Sequence, residues 1–191
     1  MEQLKKTALK TIALRTTVTL IAGLCVGLVL QGCSDKTANK GAANTNASPT
    51  TNAQNTPAVD FKEITGKPLS TQSLRGKVTL VNFWATSCTT CVAEMPMLMA
   101  THEKYKSQGY DTVAVAMSYD RADYVLNFKE TRKLPFHVAL DIDGVAAKAF
   151  GDVKVTPTTY LLDKQGKIVK RYVGAPNEAE LHATIEGLLK S

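Results

Sequence analysis

The chain is poor in several residue types, and each shortage removes a class of explanation. Four cysteines among 191 residues are too few for a disulfide-built scaffold of the kind that small secreted domains use in place of a core. The apolar stretch from Val18 to Leu30 has 13 residues, short of the roughly 20 that a membrane-spanning helix needs. Lys and Arg outnumber Asp and Glu by 23 to 17, a formal +6. Lys5, Lys6, Lys10 and Arg15, however, precede residue 34 with only Glu2 against them, and the excess beyond Cys33 is three. No basic block grips nucleic acid or an anionic surface, so nucleic acid is not an expected partner. A closed zinc site needs four ligands, but His102, His137 and His182 fall on separate predicted elements, and no metal or other cofactor is expected. No internal repeat is present. The length suits one ordinary domain with extensions.

Residues 1–33 have a positive start, the apolar stretch, and then Leu30-Gln31-Gly32-Cys33, the pattern of a secretory signal. The usual small-x-small cleavage site is absent, and Leu30 to Cys33 resembles a bacterial lipobox. That resemblance implies a signal peptide over residues 1–32 and lipidation of Cys33. The protein is then tethered to membrane in the bacterial cell envelope and faces the periplasm, with Ser34 favouring the outer membrane. An uncleaved anchor or a plain cleaved signal is the alternative. Cys25 leaves with the signal. From Lys36 to Pro57 the chain is nearly all Thr, Ala, Asn, Ser, Gly, Gln and Pro. Such a segment buries too little apolar surface to order itself, so residues 33–57 are expected to form a flexible tether. The folded domain is expected over 58–191, 134 residues.

Within that domain, Phe61 to Leu74 reads as a hairpin turning at Gly66-Lys67-Pro68. The run Val78 to Trp84 is almost wholly β-forming, as in a strand covered on both faces. Thr89 to Lys106 has helical spacing that Pro96 is expected to kink or restart. Thr112 to Met117 and Phe136 to Leu140 are further strands. Arg121 to Lys133 is a helix with Val125, Leu126 and Phe128 inward, and Val145 to Phe150 a short one. Thr158 to Leu162 and Ile168 to Val173 form a hairpin. Asn177, with Glu180 three residues on, opens a last helix with Leu181, Ile185, Leu188 and Leu189 inward. Strands alternating with helices give an α/β fold, a central mixed sheet with helices on both faces.

The chemistry concentrates at Cys88-Thr89-Thr90-Cys91, where a strand hands over to a helix. First-turn amides have no partner inside the helix, and the helix dipole is positive there. Both favour a thiolate at Cys88, with a pKa lowered from about 8.5 into the range of roughly 3.5 to 7.5. Cys91, one turn on, is placed to attack a mixed disulfide at Cys88 and release the partner. A structural staple across four residues closes too short a loop to constrain the unfolded chain much. A redox couple with Cys88 as nucleophile and Cys91 as resolver is the better reading.

The segments VNFWATSCTTCVAEMP, residues 81–96, and VTPTTYLLDKQGKIV, residues 155–169, resemble the thioredoxin-like TlpA/ResA/CcmG group of membrane-anchored thiol–disulfide oxidoreductases. The resemblance covers the chain from about Phe61 to its end. It implies a thioredoxin-like fold with an N-terminal hairpin extension, and a cis peptide at Thr156-Pro157 beside the dithiol; alone, Pro157 reads as an ordinary trans turn. It implies exported disulfide-bonded proteins as substrates, commonly in cytochrome c biogenesis, and a membrane electron-donor protein. Catalytic positions by this likeness are Cys88, Cys91, Pro157 and Asp120. Substrate contacts are Trp84, Thr89, Thr90 and the Thr156 backbone, Trp84 also packing beside the dithiol. Asn82 cannot accept a proton from Cys91, so Asp120 is expected either to do so or to cap the helix before Arg121. Glu94 is family-like, and a solvated helix face explains it equally well. Ser87 stands where many relatives carry tryptophan.

Two other classes compete. Cys91, Met95, Met99 and His102 form a stripe on one helix, and such soft ligands suit Cu(I), though core packing accounts for the stripe as well. A thiol peroxidase with antioxidant activity is a weaker alternative, because Cys88 lacks the Pro-x-x-x-Thr-x-x-Cys pattern of those enzymes. The three histidines are expected at the surface or its boundary.

Overall fold

The computed structural model describes residues 54–191. Its strands are β1 (Gln54–Asn55), β2 (Asp60–Glu63), β3 (Pro68–Ser70), β4 (Val78–Trp84), β5 (Tyr110–Ala116), β6 (His137–Leu140), β7 (Thr158–Leu162) and β8 (Lys167–Val173). The helices are α1 (Thr89–Tyr105), α2 (Ala122–Arg132), α3 (Val145–Ala149) and α4 (Glu178–Lys190). One mixed sheet runs in the order β1-β8-β7-β4-β5-β6-β2-β3. Strand β4 pairs in parallel with β5 and antiparallel with β7, and every residue of β4 is buried.

Alternation along β4 divides the core in two. Leu80 and Trp84 join a cluster with Cys91, Met95 and Leu98 of α1 and Leu181 and Ile185 of α4. Val81 and Phe83 point the other way, to Phe61, Ala146, Phe150 and Tyr160. The period of two places Asn82 on the α1 side with Leu80 and Trp84. Helix α4 starts as its sequence pattern predicts, with Asn177 Oδ1 accepting the Glu180 N–H at 3.0 Å.

Two expectations need correction, at β1 and on α2. The sheet begins at Gln54 and Asn55, which pair with Ile168 and Lys167 of β8, inside the segment whose composition suggests a tether. Edge pairing uses main-chain groups and needs no apolar side chain. Of the two outcomes expected at Pro96, a restart does not occur: α1 is continuous through it, with buried Cys91, Glu94, Met95 and Leu98 anchoring the helix on both sides of the lost N–H. On α2, Val125 is fully buried but Leu126 is 42% exposed, one position round the helix from the inward stripe.

Covering of the sheet by α4 is testable at Ile185, which is fully buried. Ile185→Ala should lower unfolding stability by about 2–5 kcal/mol in a denaturant titration. A loss below about 1 kcal/mol would mean that α4 does not close this core.

Candidate active site

Strand β4 ends at Trp84, the chain turns over Ala85-Thr86-Ser87, and Cys88 takes the N-cap position of α1 with extended backbone (φ −89°, ψ 105°). Its Sγ accepts the Cys91 N–H at 3.1 Å, and its carbonyl accepts the Val92 N–H at 3.0 Å. One of the unpaired first-turn amides therefore points at this sulfur. Cys88 and Cys91 form a disulfide with Cα atoms 5.2 Å apart. Cys91 is fully buried while Cys88 is half-buried, and Ser87, Thr89 and Thr90 are exposed. The two sulfurs thus differ in access as their sequence order suggests.

The Thr156-Pro157 peptide is cis. Register between Phe83 and Thr158 brings Pro157 alongside the end of β4, where the dithiol loop begins. Pro157 is buried and Thr156 half-buried, with the exposed Tyr119 hydroxyl 3.3 Å from Thr156 Oγ1.

Trp84 is fully buried, its ring centroid 5.1 Å from that of Phe128, in the cluster that Cys88 and Cys91 also join. It lies beneath the dithiol and offers no surface to a docking chain, which corrects its assignment as a substrate contact. A central strand covered on both faces leaves none of its side chains outside.

Asp120 follows β5, the parallel neighbour of β4, so the loops leaving these strands lie side by side. Its Oδ2 accepts the Thr86 N–H and its Oδ1 the Thr86 hydroxyl, both at 2.6 Å. It does not cap α2, whose N-cap is Arg121 without a side-chain bond. Both carboxylate oxygens instead hold the loop two residues before Cys88.

Glu94 is the group that residue-by-residue reading undervalued. It is 5% exposed rather than on a solvated face. Asn82 Nδ2 donates to Glu94 Oε1 and to Thr159 Oγ1, each at 2.9 Å, and Glu94 Oε2 is buried without a partner. Burial pushes this carboxyl up from 4.5 to about 7, against the opposing pull of the Asn82 hydrogen bond. A signal was present: Cys91, Glu94, Met95 and Leu98 follow helical spacing, so Glu94 falls on the inward stripe.

His102 is also buried, contrary to expectation; its Nδ1 lies 3.3 Å from Thr112 Oγ1, and its ring packs on Phe136 and Tyr110. Burial pushes its imidazole pKa down. Eleven residues of helix separate it from Cys91, a rise of roughly 16 Å, so the stripe from Cys91 to His102 does not converge on one ion. No group of three or more His, Cys, Asp or Glu suited to a metal occurs among the described residues. A hollow of about 360 Å³ lined by Lys77, Asp111 and His137 opens at the far end of β4 from the dithiol. Cys33 and the lipobox lie outside the described residues.

This geometry can be set beside known proteins. The Redoxin family matches residues 51–188. The thiol–disulfide oxidoreductase ResA of Bacillus subtilis is 34% identical over 122 residues, 64% of this chain and 67% of ResA. Among solved structures, a candidate thioredoxin of Neisseria meningitidis is 37% identical with a TM-score of 0.68, covering 73% of this chain and 93% of its own. A thiol:disulfide interchange protein of the thioredoxin family from Chlorobium tepidum is 26% identical with a TM-score of 0.66, covering 72% and 97%. With a buried and a half-buried cysteine bonded at a helix start beside a cis-proline, the chain belongs to the Redoxin family, among its thioredoxin-fold thiol–disulfide oxidoreductases.

Proposed function

We propose that the protein reduces disulfides of exported proteins in the bacterial cell envelope, cytochrome c maturation being the specific task that its family suggests. The observation that carries this is the asymmetric pair: a half-exposed sulfur held by a helix-start amide, bonded to a fully buried one. In the reduced form the Cys88 thiolate attacks one sulfur of a substrate disulfide, and the other leaves as a thiolate that takes a proton from water. Cys91 then gives its proton to Glu94 and attacks Cys88 Sγ. The second substrate sulfur is released, leaving the substrate reduced by two electrons and Cys88–Cys91 oxidised. A membrane electron-donor protein returns two electrons to the pair. Glu94 suits this step because it lies one helical turn from Cys91 on the same face, is buried, and has a raised pKa. Asp120 positions the loop, Pro157 flanks the dithiol, and the Thr156 backbone offers an extended substrate a place to pair. Thr89 and Thr90 border the sulfurs from the solvent side. Cys33 carries the lipid tether.

Cys91→Ser should accumulate covalent mixed disulfides with envelope proteins, released by dithiothreitol and absent from the Cys88→Ser, Cys91→Ser double variant; substrates are read by mass spectrometry. Trapping that persists without Cys88 would sink the mechanism. Cys33→Ala should abolish incorporation of a radiolabelled fatty acid into the protein, and labelling that persists in this variant would remove the lipid tether from Cys33.

Glu94 sets a pH dependence. Its folded pKa lies above its unfolded one, so between about pH 4.5 and about 7 the native state keeps a proton that the unfolded state has released, and stability falls as pH rises. Glu94→Gln should match the parent below pH 4.5 and exceed it by up to about 3 kcal/mol at pH 8. Read by stopped-flow, the parent's resolution rate should rise through about pH 7 and the variant's should not. A stabilised variant with an unchanged rate profile would leave Glu94 a structural role only.

A further inference from the structure

Two hollows open on the helix side of the dithiol, and they share walls. One, of about 330 Å³, lies between α1 and α2, with Met95, Pro96 and Met99 on one side and Phe128 and Arg132 on the other. The second, of about 440 Å³, reaches from Thr86 and Ser87 past Tyr124 to the same Phe128 and Arg132. Ser87 precedes Cys88 and is exposed, so the groove starts beside the reacting sulfur and leads away between the helices. The part between α1 and α2 is mainly apolar, and its methionines adapt their shape to what enters, while the part beside Ser87 is lined largely by the polar Thr86, Asn127 and Thr131. Arg132 is the one charged residue lining either hollow. Its guanidinium stands 5.7 Å from the Phe128 ring centroid, and no carboxylate pairs with it among the described residues.

We propose that this groove binds the polypeptide flanking the target cysteine, taking an apolar side chain between Met99 and Phe128 and an acidic side chain at Arg132. The inference rests on Cys88 being the attacking sulfur. A mixed disulfide there fixes the partner chain within one residue of Ser87, and a chain leaving on this side crosses the groove. The apolar walls favour burial of an aliphatic or aromatic side chain. The unpaired guanidinium favours a carboxylate, which it holds in a two-pronged hydrogen bond. Attack and resolution at the cysteines use neither Met99 nor Arg132, so these two residues select substrates without altering the reactivity of the sulfur itself.

The test uses the full chain carrying Cys91→Ser and a panel of synthetic peptides. Each peptide has one cysteine activated as its thionitrobenzoate disulfide, with Leu and Glu at set spacings. Matched controls carry Ser for Leu or Lys for Glu. Second-order rates are followed by release of thionitrobenzoate. At one spacing the Leu and Glu peptide should react at least about tenfold faster than either control, the scale of discrimination that one well-seated side chain gives. Met99→Lys should abolish the advantage of Leu, and Arg132→Glu should invert the preference of Glu over Lys. Neither should change the rate with the small symmetric reagent dithiobis(nitrobenzoate). Equal rates across the panel, with normal reaction of the small reagent, would overturn the groove and leave the mechanism standing. Failure of both peptides and reagent to react at Cys88 would overturn the mechanism and the groove with it. A concentration-dependent dimer abolished by Met99→Lys in sedimentation would assign the groove to a second copy and likewise overturn the proposal.

Discussion

One hydrogen bond organises the site: the Cys91 N–H donating to Cys88 Sγ at the start of α1, 3.1 Å between nitrogen and sulfur. It exists only while three things hold. The central strand must deliver the chain to the edge of the sheet, the loop over Thr86 must keep its course, and the helix must start at Cys88. The first is a matter of packing, since every residue of β4 is buried. The second rests on Asp120, which holds both the amide and the hydroxyl of Thr86. The third is sealed by the Val92 N–H on the Cys88 carbonyl. A helix-start amide stabilises negative charge, so the geometry that fixes the sulfur also disposes it to ionise.

The buried carboxyl works in the opposite sense and, in the mechanism we propose, serves the second cysteine. Glu94 is neutral-leaning because water is excluded, and Asn82 with Thr159 orients it from the strand side. The site thus pairs a sulfur favoured as an anion with a carboxyl that can still take a proton near neutrality. That division is what attack followed by resolution requires.

Legibility in the sequence followed the range of the interactions. Hydrophobic runs and caps are local, and the buried strands, the Asn177 cap and the strand-to-helix position of the cysteine pair could all be read from neighbouring residues. The cis state of Thr156-Pro157 came only from family resemblance, because nothing in the dipeptide itself demands it. What escaped depends on a distant partner. Asp120 resembles a cap for the helix that follows, and only the side-by-side exit of β4 and β5 turns it onto Thr86. Glu94 falls on the inward stripe of α1 by spacing alone, but its partner Asn82 comes from β4 and is found only once the helix is docked. Trp84 is an aromatic near the cysteines, but strand parity sends it below them. Edge pairing at Gln54 and Asn55 uses backbone alone, so a composition rich in small polar residues gave no sign of it.

The two sides of the dithiol are unlike. Thr156 and Tyr119 border it on the cis-proline side, while Ser87, Tyr124 and Phe128 open a hollow on the other. Both matter only if the sulfur between them is a ready nucleophile. The most direct measurement is the pH dependence of Cys88 alkylation by iodoacetamide in the reduced chain carrying Cys91→Ser. A midpoint well below the ordinary thiol value of about 8.5 is the predicted result, and a midpoint at or above that value would contradict the account.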